Sequence, residues 1–157
     1  MSQPILKQAG IVGVTFGNNV TVVEPVNLYG CTIGDNCFIG PFVEIQRDVT
    51  IGRRCRVQSH SFICELVTLG DDCFVGHGVM FVNDLFQGGG PAGPNRSLWK
   101  ATRIGSRVSI GSNVSLLPVS ICDDVVIGAG AVVTKDIVQP GVYAGNPAKL
   151  LRTLPKR

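Results

Sequence analysis

Apolar residues recur along this chain at every sixth position. From Ile33 the series runs through Ile39, Ile45, Ile51, Val57, Ile63, Leu69, Val75 and Phe81. A second series is displaced by four residues: Cys37, Val43, Val49, Cys55, Ser61, Val67, Cys73 and Val79. Neither a helix nor a simple amphipathic strand gives this period. A fixed repeat of six predicts a parallel β-helix. Three hexapeptides then close one triangular coil of 18 residues, each supplying a short strand and a turn. The six-spaced side chains point inward, each burial contributing about 1.5–3 kcal/mol. A single coil cannot bury both of its edges, so stability must come from stacking.

The pattern also divides the chain. Residues 1–9 read as a loose lead and residues 10–138 as coils, beginning imperfectly at Phe16, Val22 and Leu28. One residue is missing from the repeat between Leu28 and Ile33, and another between Leu116 and Ile121. Residues 85–97 abandon the repeat in a Gly- and Pro-rich loop. Loops of this length inside a compact stack are usually functional or disordered. The repeat resumes at Leu98 and runs through Ile104, Ile110, Leu116, Ile121, Ile127 and Val133, with Val108, Val114, Val125, Ala131 and Ile137 as small inward positions. About twenty hexapeptides, close to seven coils, make one all-β domain. Gln139-Pro140-Gly141 ends the prism. Residues 139–157 form a short C-terminal extension, read as an extended turn followed by one or two helical turns that Pro155 stops.

Composition narrows the class. Of 157 residues, 45% are hydrophobic and only 16% charged, which implies a continuous core rather than disorder. The 20 glycines suit a backbone that turns every few residues, some turns needing φ > 0. A net charge of +3 is too small to imply nucleic acid. With neither a charged-then-apolar leader nor an apolar run near ~18 residues, the chain reads as soluble, cytoplasmic and not membrane-associated. Lys149, Arg152, Lys156 and Arg157 make the end basic, either as a solvated terminus or as a phosphate-binding patch. The six cysteines show no zinc spacing. Cys31, Cys37, Cys55 and Cys73 fall on small inward positions, and the last three are 18 apart. They are expected to stack as free thiols packed like small hydrophobes, rather than as a disulfide.

The same count of 18 gathers polar residues. Arg47, Glu65 and Asn83 share one corner, about 5 Å apart at sheet spacing, and Asp84 follows where the repeat breaks. Ordinary turn chemistry would explain Asn and Asp at corners, and Asp35-Asn36 and Asp71-Asp72 are read that way. The column ending at the loop is read as functional. His60 and His77, the only histidines, are 17 apart and occupy neighbouring columns. A three-histidine zinc site cannot be built from them, so no metal is expected. Either could act as a general base.

Four segments together resemble one family. They are Phe42-Val43-Glu44-Ile45-Gln46, Ser59-His60-Ser61-Phe62-Ile63-Cys64-Glu65, Gly76-His77-Gly78-Val79-Met80-Phe81-Val82-Asn83-Asp84 and Gly145-Asn146-Pro147-Ala148-Lys149. They look like the hexapeptide-repeat N-acetyltransferases that act on nucleotide-linked 3-amino sugars in bacterial surface-polysaccharide synthesis. The resemblance implies a left-handed β-helix, a homotrimer, and acetyl-CoA meeting a dTDP- or UDP-linked amino sugar between two prisms. It places Glu65, Asn83 and Asp84 around the reacting amine, with His77 as a rival base. Gln46, Arg47 and His60 become sugar or diphosphate contacts. Trp99, Gly111, Ala129 and Lys135 would lie beside the thiol arm of CoA, and Asn146, Pro147, Lys149 and Arg152 near its adenine and phosphates. The unusually Gly-rich Gln87-Gly88-Gly89-Gly90 departs from the family pattern and leaves the sugar open. Acetyl transfer to another acceptor, such as a sugar hydroxyl, and a trimeric scaffold without activity remain the alternatives.

Overall fold

The computed structural model describes residues 3–154. Its strands form three parallel stacks, of seven, six and eight members, apart from one antiparallel pair at the C-terminal end. Together they make a parallel β-solenoid of about seven turns, the arrangement of a left-handed β-helix of hexapeptide repeats. The first face holds Asn27–Tyr29, Glu44–Ile45, Phe62–Ile63, Met80–Phe81, Ser115–Leu116 and Val132–Val133. The second holds Thr32–Ile33, Thr50–Ile51, Val67–Leu69, Thr102–Ile104 and Ser120–Ile121. The third includes Phe38–Ile39, Arg56–Val57, Phe74–Val75 and Ser109–Ile110.

The inward series is the core. Ile33, Ile39, Ile45, Val57, Ile63, Val75, Ile110 and Leu116 are fully buried, with Phe81 at 1% exposure the largest side chain among them. Strand register confirms the coil length: Ile63 pairs with Ile45, and Ile51 with Ile33, each 18 apart. Leu28 pairs with Ile45 and Leu116 with Val133, each 17 apart, where the sequence drops a residue. Both short turns round the same edge of the prism, at Gly30 and Pro118. The long insertion leaves from that edge too, because Leu69 pairs directly with Ile104. All departures from 18 in these coils are therefore confined to one corner, called the loop corner below. The first rung is incompletely covered, with Phe16 at 37% exposure, because no rung lies beneath it.

Two expectations need correction. Leu98 does not resume the prism. It lies 37% exposed in a 3-10 turn, Arg96–Leu98, whose Ser97 N–H donates to the Asn95 side chain, and the coil restarts at Thr102–Ile104. The C-terminal extension contains no helical turn among the described residues. Gly141–Ala144 extends the third face, and Lys149–Arg152 folds back on it antiparallel. Once the chain reverses at Asn146-Pro147, the open edge of Gly141–Ala144 satisfies the returning backbone better than an isolated helical turn could. Pro155, Lys156 and Arg157 lie outside the described residues. Some turns do use glycine at φ > 0, among them Gly30 and Gly78, whereas the glycines after the inward residues serve close approach. A Cβ on Gly52 would sit 2.6 Å from the carbonyl group of Gly70 in the next rung. The left-handed residues come two positions later, among them Arg54 and Asp72.

That second corner, between the second and third faces, carries an ion-pair ladder. Arg53 pairs with Asp71 at 2.8 Å, Arg54 with Asp72 at 2.7 Å, and Arg107 with Asp124 at 2.7 Å. Hydrogen bonds from the Arg53 backbone and guanidinium hold the Asp71 carboxyl below its ordinary value, and the Arg54 guanidinium does the same for Asp72. These corner aspartates are structural, as read from the sequence.

The cysteines are free and, except for half-buried Cys122, buried. Cys37, Cys55 and Cys73 each donate to a glycine carbonyl at 3.1 Å, of Gly52, Gly70 and Gly105 in turn. Burial pushes the Cys64 thiol up to about 12 and the Cys31 thiol up to about 11. Thiolate, not thiol, is the reactive form. Titration of the native protein with a thiol reagent at pH 8 is therefore expected to label Cys122 first. The other five should react only on unfolding. Rapid labelling of Cys64 in the native state would contradict this packing.

Candidate active site at the loop corner

The rungs place Gln46, Arg47, Glu65 and Asn83 at the loop corner, with Asp84 opening the insertion. Glu65 is 6% exposed and is the one charged residue among the buried side chains described. Its Oε1 forms an ion pair with Arg47 Nε at 3.2 Å, and its Oε2 pairs with the Arg96 guanidinium, brought back by the loop. Its backbone N–H donates to Gln46 Oε1 at 3.4 Å, and its carbonyl accepts from Asn83 Nδ2 at 3.3 Å. The column inferred from the count of 18 is thus a set of direct contacts.

The polar network continues along the first face. Glu44 accepts from Gln46 Nε2 at 2.9 Å and from Asn27 Nδ2 at 3.1 Å. Burial, followed by the carboxylates of Glu44 and Glu65, raises the Tyr29 hydroxyl above its ordinary value. Glu44 and Arg96 escaped the sequence reading. Glu44 was detectable as a polar residue next to an inward position, in a segment already singled out. Arg96 had no periodic signal, since the loop has no repeat.

Asp84 shapes the loop. Its two oxygens accept from the backbone N–H of Phe86 at 2.9 Å and of Ala92 at 2.7 Å. The loop foot is closed by Lys100 N–H donating to Asn83 O at 2.8 Å. Arg96 also reaches Asp48 at 3.2 Å and lies over the Trp99 ring, 5.4 Å from its centroid.

His60 and His77 lie at the other edge of the first face. His60 stacks on Phe42 with centroids 4.8 Å apart, and His77 is exposed, one rung above Ser59. Within one chain the structure does not bring either histidine to Glu65 and Asn83. That histidine corner instead carries Gly111 and Ala129 on successive rungs. A Cβ on Gly111 would lie 2.5 Å from Ala129 N, and one on Gly130 would meet nothing within 4 Å. The corner therefore ends in a side-chain-poor backbone track. The C-terminal hairpin turn, with its cis Asn146-Pro147 bond, is seated beside it: Val132 N–H donates to Gly145 O at 3.0 Å, and Ala148 N–H to Val132 O at 2.8 Å. Lys149 and Arg152 are exposed on the outer strand. Lys135 is exposed at the loop corner, across the first face from Gly111, and half-buried Trp99 stands at the loop foot. The structure thus groups Gly111, Ala129, Asn146 and Pro147, and separates them from Lys135 and Trp99.

Residues 30–65 match the bacterial transferase hexapeptide model (six repeats), and residues 101–135 match the hexapeptide repeat of succinyl-transferase. These partial matches liken the coils to hexapeptide-repeat transferases. Both matches cover coils, and the loop with Asn83 and Asp84 lies between them. The chain is 31% identical over 144 residues to the bifunctional protein GlmU of Paramagnetospirillum magneticum, covering 84% of this chain and 31% of that one. It thus spans less than a third of that relative's length. Galactoside acetyltransferase, solved with coenzyme A, is 30% identical with a TM-score of 0.67, over 78% of this chain and 64% of that one. AntD, an N-acyltransferase from Bacillus cereus solved as a mutant in complex with dTDP and coenzyme A, shares the fold. Its TM-score is 0.64 at 22% identity, over 92% of this chain and 86% of that one. No helix among the described residues of this protein is long and apolar enough to cross a membrane.

Proposed function

We propose that this protein is an acetyl-CoA-dependent N-acetyltransferase that acylates the 3-amino group of a nucleotide-linked amino sugar in surface-polysaccharide synthesis. The observation that carries the reading is the buried Glu65 carboxylate beside the Asn83 amide, at the foot of an inserted loop. The reading also takes a homotrimer, in which the site lies between two prisms, and a cytoplasmic protein. The galactoside acetyltransferase binds coenzyme A on this fold, and AntD holds dTDP with coenzyme A.

Coenzyme A would supply an acetyl thioester, a good acyl donor with a thiolate leaving group. The bare track at Gly111, Ala129 and Gly130 fits an extended, amide-bearing arm. Asn146, Pro147, Lys149 and Arg152 stand where its far end would lie. The amine nitrogen attacks the thioester carbonyl carbon, the C–N bond forms, the C–S bond breaks, and the sulfur takes up a proton. If a sugar amine titrates like an α-amino group, near 7.7–8.0, about a tenth is neutral at pH 7. Deprotonation then costs about 1 kcal/mol, so a strong base is not obligatory. Glu65 attracts and holds the ammonium, and Asn83 orients the nitrogen. Asp84 keeps the loop shaped around them. Backbone N–H groups of the coils meet the developing oxyanion. His77, from a neighbouring prism, would be the base in the rival arrangement. A His77→Ala variant with normal turnover would remove it.

Acetylation of a sugar hydroxyl is the second reading, favoured by the galactoside acetyltransferase likeness. The test begins with thermal shifts for acetyl-CoA, dTDP and UDP. A ligand at 100 times its Kd stabilises by about 2.7 kcal/mol, roughly 5–10 °C for a chain of this size. A failure of every CoA species to shift the melting temperature would sink both enzymatic readings and favour a scaffold. Thiol release with 3-amino sugar nucleotides and their hydroxyl counterparts then separates the two.

A further inference from the structure

The two guanidiniums on Glu65 are not equivalent. Arg47 stands on a coil corner, where its backbone is held between rungs. Arg96 comes from the inserted loop, on a 3-10 turn with no buried residue. Before it the chain passes Gly88, Gly89, Gly90 and Gly93, where an added Cβ would meet nothing within 4 Å. The Arg96 side chain is 46% exposed, whereas that of Glu65 is only 8% exposed. One cation is therefore carried by the coil backbone, and the other by a loop that can move away with it.

A released Arg96 would not be left without a partner. Asp48, 59% exposed by its side chain, already holds the same guanidinium at 3.2 Å. Glu65 is in a different position. A buried carboxylate that loses a counter-ion is strongly disfavoured unless another cation replaces it. A primary ammonium can do so, by donating to Oε2. A hydroxyl of the same shape brings no charge.

We propose that Arg96 is the resident stand-in for the acceptor's ammonium. It fills the amine subsite on Glu65 until an amine-bearing acceptor takes its place, and this exchange makes the site select amines over hydroxyls. The proposal rests on the reading of Glu65 as the group that holds the amine. One cation leaves as another arrives, so the charge at the buried carboxylate is conserved. A neutral acceptor must displace Arg96 and leave Glu65 with Arg47 alone. Binding of any acceptor is weakened by the fraction of molecules whose subsite Arg96 occupies.

Hydrogen exchange of the amides in residues 85–95, read by mass spectrometry, tests this in the full chain. The proteins are wild type, Arg96→Gln and Arg96→Lys. The ligands are dTDP- and UDP-linked 3-amino sugars and their 3-hydroxy counterparts. Without ligand, the Arg96→Gln loop should exchange about tenfold faster than wild type, and Arg96→Lys should stay within about threefold. A saturating amine ligand should raise wild-type loop exchange to the Arg96→Gln level, whereas the hydroxyl counterpart should not. The Kd for the amine ligand should fall about tenfold in Arg96→Gln. Unchanged loop exchange in Arg96→Gln overturns the proposal, as does an amine ligand that slows the wild-type loop. If amine ligands bind and are acetylated while the three loops behave alike, only the stand-in fails. If Arg96→Gln frees the loop but no amine ligand binds any of the proteins, the amino-sugar reading fails and the exchange fails with it.

Discussion

Glu65→Gln is expected to lower kcat/KM for an amine acceptor by about ten- to a hundredfold, with little change in stability. The first figure follows from the loss of one charge-assisted hydrogen bond, about 1.5–3 kcal/mol. The second follows from where the partner charges lie. Removing one member of a buried pair is usually costly because the other charge stays buried. Here the side chains of Arg47 and Arg96 are 56% and 46% exposed, so both can turn to water. Gln also keeps the volume. Steady-state kinetics and a melting curve on the same preparation separate the two effects. Wild-type kcat/KM would remove Glu65 from the acceptor site. A melting temperature lowered in step with activity would make it a packing residue instead.

Phe81→Ala should have the largest effect on stability. Phe81 is buried on the last rung before the loop, paired one way toward the Phe62–Ile63 strand and the other way with Leu116. Truncating a buried Phe costs about 3–5 kcal/mol. At about 2–4 °C per kcal/mol this is a fall of roughly 6–20 °C in melting temperature. The stack is held by nearest neighbours, so the loss falls on the two rungs that flank Asn83 and Glu65. Met80→Ala is the control. Met80 is 42% exposed on the outer side of the same strand, and its loss should shift melting by only a few degrees. Equal shifts for the two variants would mean that the inward series is not the core.

What the sequence disclosed was whatever the repeat governs. The six-spaced residues identify the core, because every rung places the same position on the inside. The count of 18 identifies Arg47, Glu65 and Asn83 as neighbours, because stacking converts sequence distance into rung distance. The missing residues near Gly30 and Pro118 were legible for the same reason. What lay outside the repeat was not. Arg96 reaches Glu65 through a loop with no period, so nothing in its spacing reveals the contact. The resemblance put Asp84 near the amine, and no spacing in the sequence disclosed that its two oxygens accept loop backbone N–H groups. Leu98 matched the period by coincidence, since a local cap at Asn95 sets a 3-10 turn there. The C-terminal strand depended on a partner edge that only the finished third face provides. His60 and His77 were read only relative to each other, and the width of a whole face between them and Glu65 became visible only in three dimensions.

The direct pairing of Leu69 with Ile104 has an evolutionary consequence. The inserted segment leaves and rejoins one corner without interrupting any ladder of hydrogen bonds between rungs. The cost of closing such a segment grows only as the logarithm of its length, about 0.6 kcal/mol per doubling. Its length and composition can thus drift while the scaffold beneath stays in register. A lineage can exchange this cassette, and with it the chemistry presented at the corner, without having to reinvent the fold that displays it.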